Sequence, residues 1–213
     1  LLVASLRRFH AHARIFQCTD RSTPGVRGVD SVHRCDEDPA QLMMMRLCAF
    51  AELPVEAPTL FLDTDMLCVG EIDPAGALGE SEVAVCRREF RGDDEFLAET
   101  WAMNLSEYKG KTLSEVYPYV ACASIARTPA FWKACVDELT NLDPKFERWF
   151  GDQEAIRNVV QGNRYALTFL RESEFGCLPE YLGTTTTSPK LIHFKGSSRK
   201  AQMLEMAKAM AII

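Results

Sequence analysis

Three short apolar runs do most to limit what this chain can fold into. "APTLFLD" (57–63), "SEVAVCR" (81–87) and "YVACASIAR" (119–127) are strand-length and rich in branched or aromatic residues, and none shows strict apolar–polar alternation. An alternating strand needs cover on one face only, whereas an unbroken apolar strand needs cover on both. Helical patterns lie between the runs and supply that cover. "DPAQLMMMRLCAFAEL" (38–53) predicts a helix, with Asp38 as cap and Pro39 at its first position. "TPAFWKACVDEL" (128–139) predicts a second, and a third starts near Asp152. Residues 1–9 read as the tail of an amphipathic helix, and 197–210 as a capped amphipathic helix. Further strands are expected at "ARIFQC" (13–18), "RYALTFL" (164–170) and "KLIHF" (190–194), and "RSTPGVRGVD" (21–30) is turn chemistry. Residues 90–117 are polar and irregular and read as a loop over a site, with "GDDEFLAETW" (92–101) as a helix within it. Alternation of helices with doubly covered strands predicts an α/β fold with a mainly parallel sheet and a ligand site at strand C-termini.

The 213 residues show no repeat, low-complexity stretch or linker, so one domain over 1–213 is expected. A net charge of −6 argues against nucleic acid as a partner, because a phosphate backbone demands a positive footprint. No apolar stretch reaches the roughly 18 residues of a spanning helix, so no transmembrane segment is expected. "LLVASLRRFH" is too short for a secretory signal, and without an initiator Met the natural chain is expected to start earlier. The eight cysteines form no C-x-x-C and sit mostly within apolar runs. Reduced thiols filling a core, and hence a cytoplasmic location, are expected in place of disulfides or zinc.

Against this apolar background, "LFLDTDML" brings Asp63 and Asp65 straight off the end of a buried strand. Side chains at i and i+2 share a face of extended chain, so the two carboxylates can converge. Their mutual repulsion favours a cation between them, and a hard divalent ion with oxygen ligands is the simplest. A strand-ending turn with solvated carboxylates is the structural alternative. "LIHFKGSSRK" (191–200) places His193 on a strand, followed by Gly196, Ser197 and Ser198 at a helix start, with Lys195, Arg199 and Lys200 around them. Free amides beside three cations make a phosphate cradle, and an imidazole beside it favours Mn²⁺ over Mg²⁺. By itself His193 would be a core histidine with its hydrogen bonds satisfied. Arg46 lies in a helix that is apolar nearly all round, so its guanidinium needs an anion: Glu52 or Asp20 within the protein, or a phosphate or sugar of a ligand. Asp152 fits plain N-capping in "GDQEAIRN".

Together these stretches resemble glycosyltransferase family 8, of the GT-A type. "LFLDTDML" looks like its D-x-D strand end, "LIHFKGSSRK" its H-F-x-G-x-x-K, and "GDQEAIRN" its D-Q-x-x-(I/L)-N. An Arg in the helix before the metal motif is similarly spaced, and the order is retained from 46 to 199. The resemblance implies Asp63, Asp65 and His193 as ligands of Mn²⁺ or Mg²⁺, with Asp63 also near the ribose. It implies Lys195, Gly196, Ser197, Ser198, Arg199 and Lys200 around the diphosphate, Arg46 between phosphate and sugar, and Asp152 and Gln153 at the donor's reactive face. It further implies a nucleotide-sugar donor, UDP-linked above all, a sugar, lipid or protein acceptor, and retention of anomeric configuration. Two features depart from the family. Arg199 stands at its Lys position, and "YVACASIAR" replaces N-(S/T/A)-G, leaving Ala121 and Ala123 unable to bond a sugar hydroxyl. The family's first strand, which serves the nucleotide base, is expected to precede Leu1. Rival readings are a haloacid-dehalogenase-type phosphatase, a nucleotidyltransferase on a related fold, and an inactive nucleotide-sugar-binding protein.

Overall fold

The computed structural model describes residues 1–97 and 105–212. Helix α1 (Leu2–Phe9) directs Leu2, Leu6 and Phe9 inward at helical spacing. Strands β1 (Phe16–Thr19) and β2 (Ser31–Arg34) then pair in parallel, joined by the expected turn-rich segment. Helix α2 (Leu42–Glu52) starts later than the Asp38–Pro39 pattern predicts. Asp38 closes a turn of its own: its carboxylate accepts the Ala40 amide at 2.9 Å and its carbonyl accepts that of Gln41 at 2.9 Å.

The first apolar run becomes β3 (Thr59–Leu62), and after a turn at Thr64–Asp65 the chain continues as β4 (Met66–Cys68), a strand not expected from the sequence. Asp73 caps α3 (Pro74–Leu78) by accepting the Ala75 amide at 3.1 Å. Strand β5 (Val83–Arg87), α4 (Leu113–Val116), β6 (Tyr119–Ala126), α5 (Ala130–Thr140) and α6 (Gly151–Gln161) follow. The chain ends with β7 (Leu167–Arg171), α7 (Glu172–Phe175), β8 (Leu191–His193) and α8 (Lys200–Ala209). Of the helix expected over 92–101, the part up to Leu97 is a turn with one bridge, Glu95 to Thr112, and the remainder lies outside the described residues.

The main sheet has the order β3-β6-β5-β7. β3 and β5 both pair antiparallel with β6, and β7 runs parallel to β5. Three of these strands therefore point one way, as expected, and β6 is the reversed exception. Because β6 sits between β3 and β5, the sheet is mixed in its pairings. Both faces are covered, which is why the strands read as unbroken apolar runs. Val83 and Val85 join Leu47, Phe50, Trp132 and Ile156 under α2, α5 and α6. Their neighbours Ala84 and Cys86 turn the other way, onto Met66, Leu78, Phe175 and the apolar side of α1. A smaller cluster of Leu67, Ile192, Phe194 and Met203 seats α8 on the β4–β8 pair.

All eight cysteines are free, and Cys35, Cys68, Cys86, Cys122, Cys135 and Cys177 are buried. Among the described residues no helix is long and apolar enough to cross a membrane.

Candidate metal centre and its basic surround

The antiparallel ladder between β4 and β8 builds the site. Met66 lies opposite His193, and the Phe194 amide donates to the Asp65 carbonyl at 2.8 Å. The acid pair at the end of β3 is thereby brought beside the imidazole at the end of β8. The Asp63 amide donates to the Cys122 carbonyl at 2.9 Å, tying the same corner to β6.

Each carboxylate has one oxygen on a cation and the other toward the histidine. Asp63 Oδ1 is 2.8 Å from Arg46 Nη2, and its Oδ2 is 3.8 Å from His193 Nε2. Asp65 Oδ2 is 2.6 Å from Lys200 Nζ, and its Oδ1 is 3.3 Å from His193 Nε2. One ligand atom from each of Asp63, Asp65 and His193 lies within 4.8 Å of the other two. Two carboxylate oxygens and one imidazole nitrogen suit a divalent ion of borderline hardness, so the donor set fits the metal that the sequence implies.

The three groups titrate abnormally. Burial drives Asp63 up to about 6 against the pull of Arg46. For Asp65 burial acts the same way, but hydrogen bonds from His193 and Lys200 outweigh it and hold the carboxyl well below its usual range. Burial alone would lower His193; its interactions with Cys122, Asp65 and Asp63 instead raise it to about 10.

Arg46 is the hub. Its Nη1 meets Asp152 Oδ2 at 2.7 Å, and its Nη2 also donates to the Ala121 carbonyl. Neither Glu52 nor Asp20 is its partner. The "ACAS" strand thus contributes a backbone carbonyl where its side chains have nothing to offer. Asp152 is buried at the second position of α6, not at its cap, and its Oδ1 accepts the Gln153 amide at 2.8 Å. A glycine is obligatory just before it: a Cβ on Gly151 would lie 2.0 Å from the Phe146 carbonyl oxygen.

The expected basic cradle is only partly assembled. Lys195, Gly196, Ser197 and Ser198 are exposed beside the site, with Gly196 at φ 85° and Ser197–Arg199 forming a 3₁₀ turn ahead of α8. No serine side chain caps that helix. Arg199 turns away, its Nε 3.0 Å from Glu180 Oε2 and its Nη1 2.7 Å from the Lys195 carbonyl. Desolvation, and then repulsion from Arg88, holds the Lys195 ammonium below the ordinary lysine range.

Arg88 is a site residue that the sequence reading missed. It follows β5 directly and donates from Nη2 to Gln153 Oε1 at 3.3 Å. Its signal was present in "VCRREF": a basic residue leaving a buried strand, as Asp63 does. Next to Arg88, Glu89, Asp93 and Asp94 form an acidic stretch. Of these, Glu89 binds Arg171 Nε at 2.9 Å and the Ser173 amide at 2.9 Å, and Asp94 pairs with Arg91 at 2.7 Å.

No protein-family model and no curated protein matches this sequence. Solved structures do. The galactosyltransferase LgtC, in complex with donor and acceptor sugar analogues, aligns with a TM-score of 0.59 at 13% identity, over 97% of this chain and 90% of that one. The apo bifunctional glycosyltransferase WbbM aligns with a TM-score of 0.56 at 14% identity, over 92% of this chain and 43% of that one. A glycosyltransferase involved in glycosylation of the major capsid of PBCV-1 gives 0.52 at 13% identity, over 92% of this chain and 100% of that one. At such identities the likeness is one of fold: a mixed α/β sheet flanked by helices, of the GT-A type.

Proposed function

We propose that this chain, sharing the fold of those glycosyltransferases, is itself a metal-dependent glycosyltransferase resembling family 8. It takes a sugar from a nucleotide-sugar donor, UDP-linked above all, to a sugar, lipid or protein acceptor with retention of configuration. Residues 1–213 form its catalytic domain, acting in the cytoplasm. The observation that carries this reading is the convergence of Asp63, Asp65 and His193 within 4.8 Å of one another, with Arg46 and Lys200 against the same two carboxylates.

Asp63, Asp65 and His193 would hold Mn²⁺ or Mg²⁺. A bound divalent ion supplies positive charge to the diphosphate as the anomeric C–O bond breaks. Lys195, Lys200 and the exposed amides of Gly196, Ser197 and Ser198 lie where they can share that task, and Arg199 reaches it only by leaving Glu180. Arg46, fixed by Asp63 and Asp152, keeps the two carboxylates apart and its own charge facing the site. Asp152 and Gln153 take the donor's reactive face, and attack by the acceptor from the leaving-group side accounts for retention.

The test is a thermal-shift panel of UDP-, GDP- and CDP-sugars with and without Mn²⁺. Binding to the native state raises its apparent stability, so a shift is expected only when metal and a nucleotide sugar are present together. Asp65→Asn and His193→Ala are expected to remove that joint shift from a still-folded chain. Hydrolysis of a phosphomonoester with no response to any nucleotide sugar would support the phosphatase reading instead.

A further inference from the structure

Val85 on β5 and Phe169 on β7 are aligned neighbours in the sheet, so their side chains take the same face. The helical layer over that face leaves Val85 2% exposed and Phe169 46% exposed. The difference is one of position: β7 is the outer strand, bordering only β5, and the cover stops short of it. Phe169 is not alone there. Its ring lies parallel to that of Tyr119, at the start of β6, with an interplanar angle of 3° and centroids 5.8 Å apart. The guanidinium carbon of Arg87 stands 5.8 Å from the Phe169 centroid. Both rings are carried by paired strands, so their spacing is fixed before any ligand arrives.

The two rings line an open groove of about 560 Å³, together with Leu167 on β7 and with Gln161, Asn163 and Tyr165 at and after the end of α6. Tyr165 is held in place by its hydroxyl, which donates to the Ala130 carbonyl at 3.0 Å, and by an edge-on contact with Phe131. The side-chain amides of Gln161 and Asn163 and the Tyr119 hydroxyl carry no hydrogen bond to other described residues. Charged residues make up 25% of the chain, yet none lines this groove, so it is matched to a neutral ligand. Aromatic faces pack on the C–H face of a pyranose, and planar amides and phenols serve its hydroxyls. A second copy adding a strand to β7 would use backbone groups and leave those amides without a role. The groove is also separate from the metal centre. Asp63 leaves β3 at one edge of the sheet, and Phe169 stands on β7 at the other, three strand spacings or about 14 Å across.

We infer that the groove beside β7 is a second carbohydrate site, which binds a neutral glycan chain through the rings of Tyr119 and Phe169 and the amides of Gln161 and Asn163. This goes beyond the sugar-transfer reading and does not depend on it, because no residue of the groove belongs to the metal centre or its basic surround.

The experiment is calorimetric titration of the full chain with cellohexaose, maltohexaose and xylohexaose, without nucleotide or metal. At least one of the three is expected to bind saturably. Phe169→Ala should weaken that binding about tenfold, the contribution of one aromatic stacking contact. Gln161→Ala should weaken it about threefold, as the loss of one neutral hydrogen bond does. Both side chains are exposed, so each variant should keep a cooperative melting transition, and if Phe169→Ala does not, Gln161→Ala carries the test. The Mn²⁺-dependent shift with nucleotide sugars should be the same in Phe169→Ala as in the parent. No saturable binding of any of the three sugars overturns the inference, as does binding that survives both substitutions. A dimer of the parent that Phe169→Ala dissociates, without sugar binding, overturns it by giving the rings to a second copy. Loss of the nucleotide-sugar shift in a folded Phe169→Ala overturns it by merging the groove with the transfer site. A parent that binds a hexasaccharide yet shows no metal-dependent nucleotide response would sink the transfer reading and leave the groove standing.

Discussion

Arg46 illustrates how one buried charge can set the properties of its neighbours. Its side chain is 16% exposed, and its guanidinium bridges Asp63 from the end of β3 and Asp152 from the start of α6. Removing it would leave two carboxylates facing each other with little water to screen them. Arg46→Met should therefore destabilise the fold by about 3–5 kcal/mol, the usual cost of orphaning a buried charge, as read from urea unfolding. Arg46→Lys should recover only part of that, because a single ammonium cannot serve two carboxylates and the Ala121 carbonyl as a planar fork does. A parent-like midpoint for Arg46→Met would mean that the two acids find other partners. From sequence alone, the need for an anion was legible in the apolar surroundings of Arg46, but its identity was not. The sequence offered Glu52 or Asp20, whereas the partners are Asp63, at the end of β3, and Asp152, which arrives by the packing of α6 against α2.

At the scale of the element, the approach of α6 is controlled by its first residue. Phe150 before it adopts a left-handed conformation, with φ 59°, and Gly151 passes too close to Phe146 and Leu139 to carry a side chain. Gly151→Ala must push the start of α6 outward, since the obstructing atom is a backbone oxygen that cannot rotate aside. We expect a loss of more than about 1 kcal/mol in urea unfolding, together with loss of the metal-dependent ligand response that relies on Asp152. An unchanged response would show that the helix can shift without disturbing the site. Elements were legible from sequence where burial wrote them plainly. β3, β5 and β6 are apolar because both faces are covered, and α5 carries its own start signal in Thr128–Pro129. β4 escaped notice because three residues between an acid pair and a turn look like the tail of the preceding strand. β2 escaped because "SVHR" is short and half exposed. The ion pair of Arg199 with Glu180 was not legible for a related reason: its sequence neighbours form a basic cluster, and Glu180 is brought to it by the fold.

For the whole molecule, the site's electrostatics are coupled to folding. His193 titrates near 6.5 in an unfolded chain and at about 10 in the native one. A group with a raised native pKa contributes stability that is fully present below its unfolded value and is lost as pH rises through the native value. In the presence of a chelator, the melting temperature should therefore fall between about pH 6.5 and pH 10, and His193→Gln should flatten that part of the profile. Parallel profiles for the two proteins would place the proton elsewhere.

The ladder joining β4 to β8 also sets an order of events during synthesis. The acid pair leaves the ribosome just after β3, while the imidazole that completes the cluster is carried by β8, which emerges much later. A nascent chain therefore holds two aspartates without the imidazole beside them, and the three groups meet only once β8 has docked on β4.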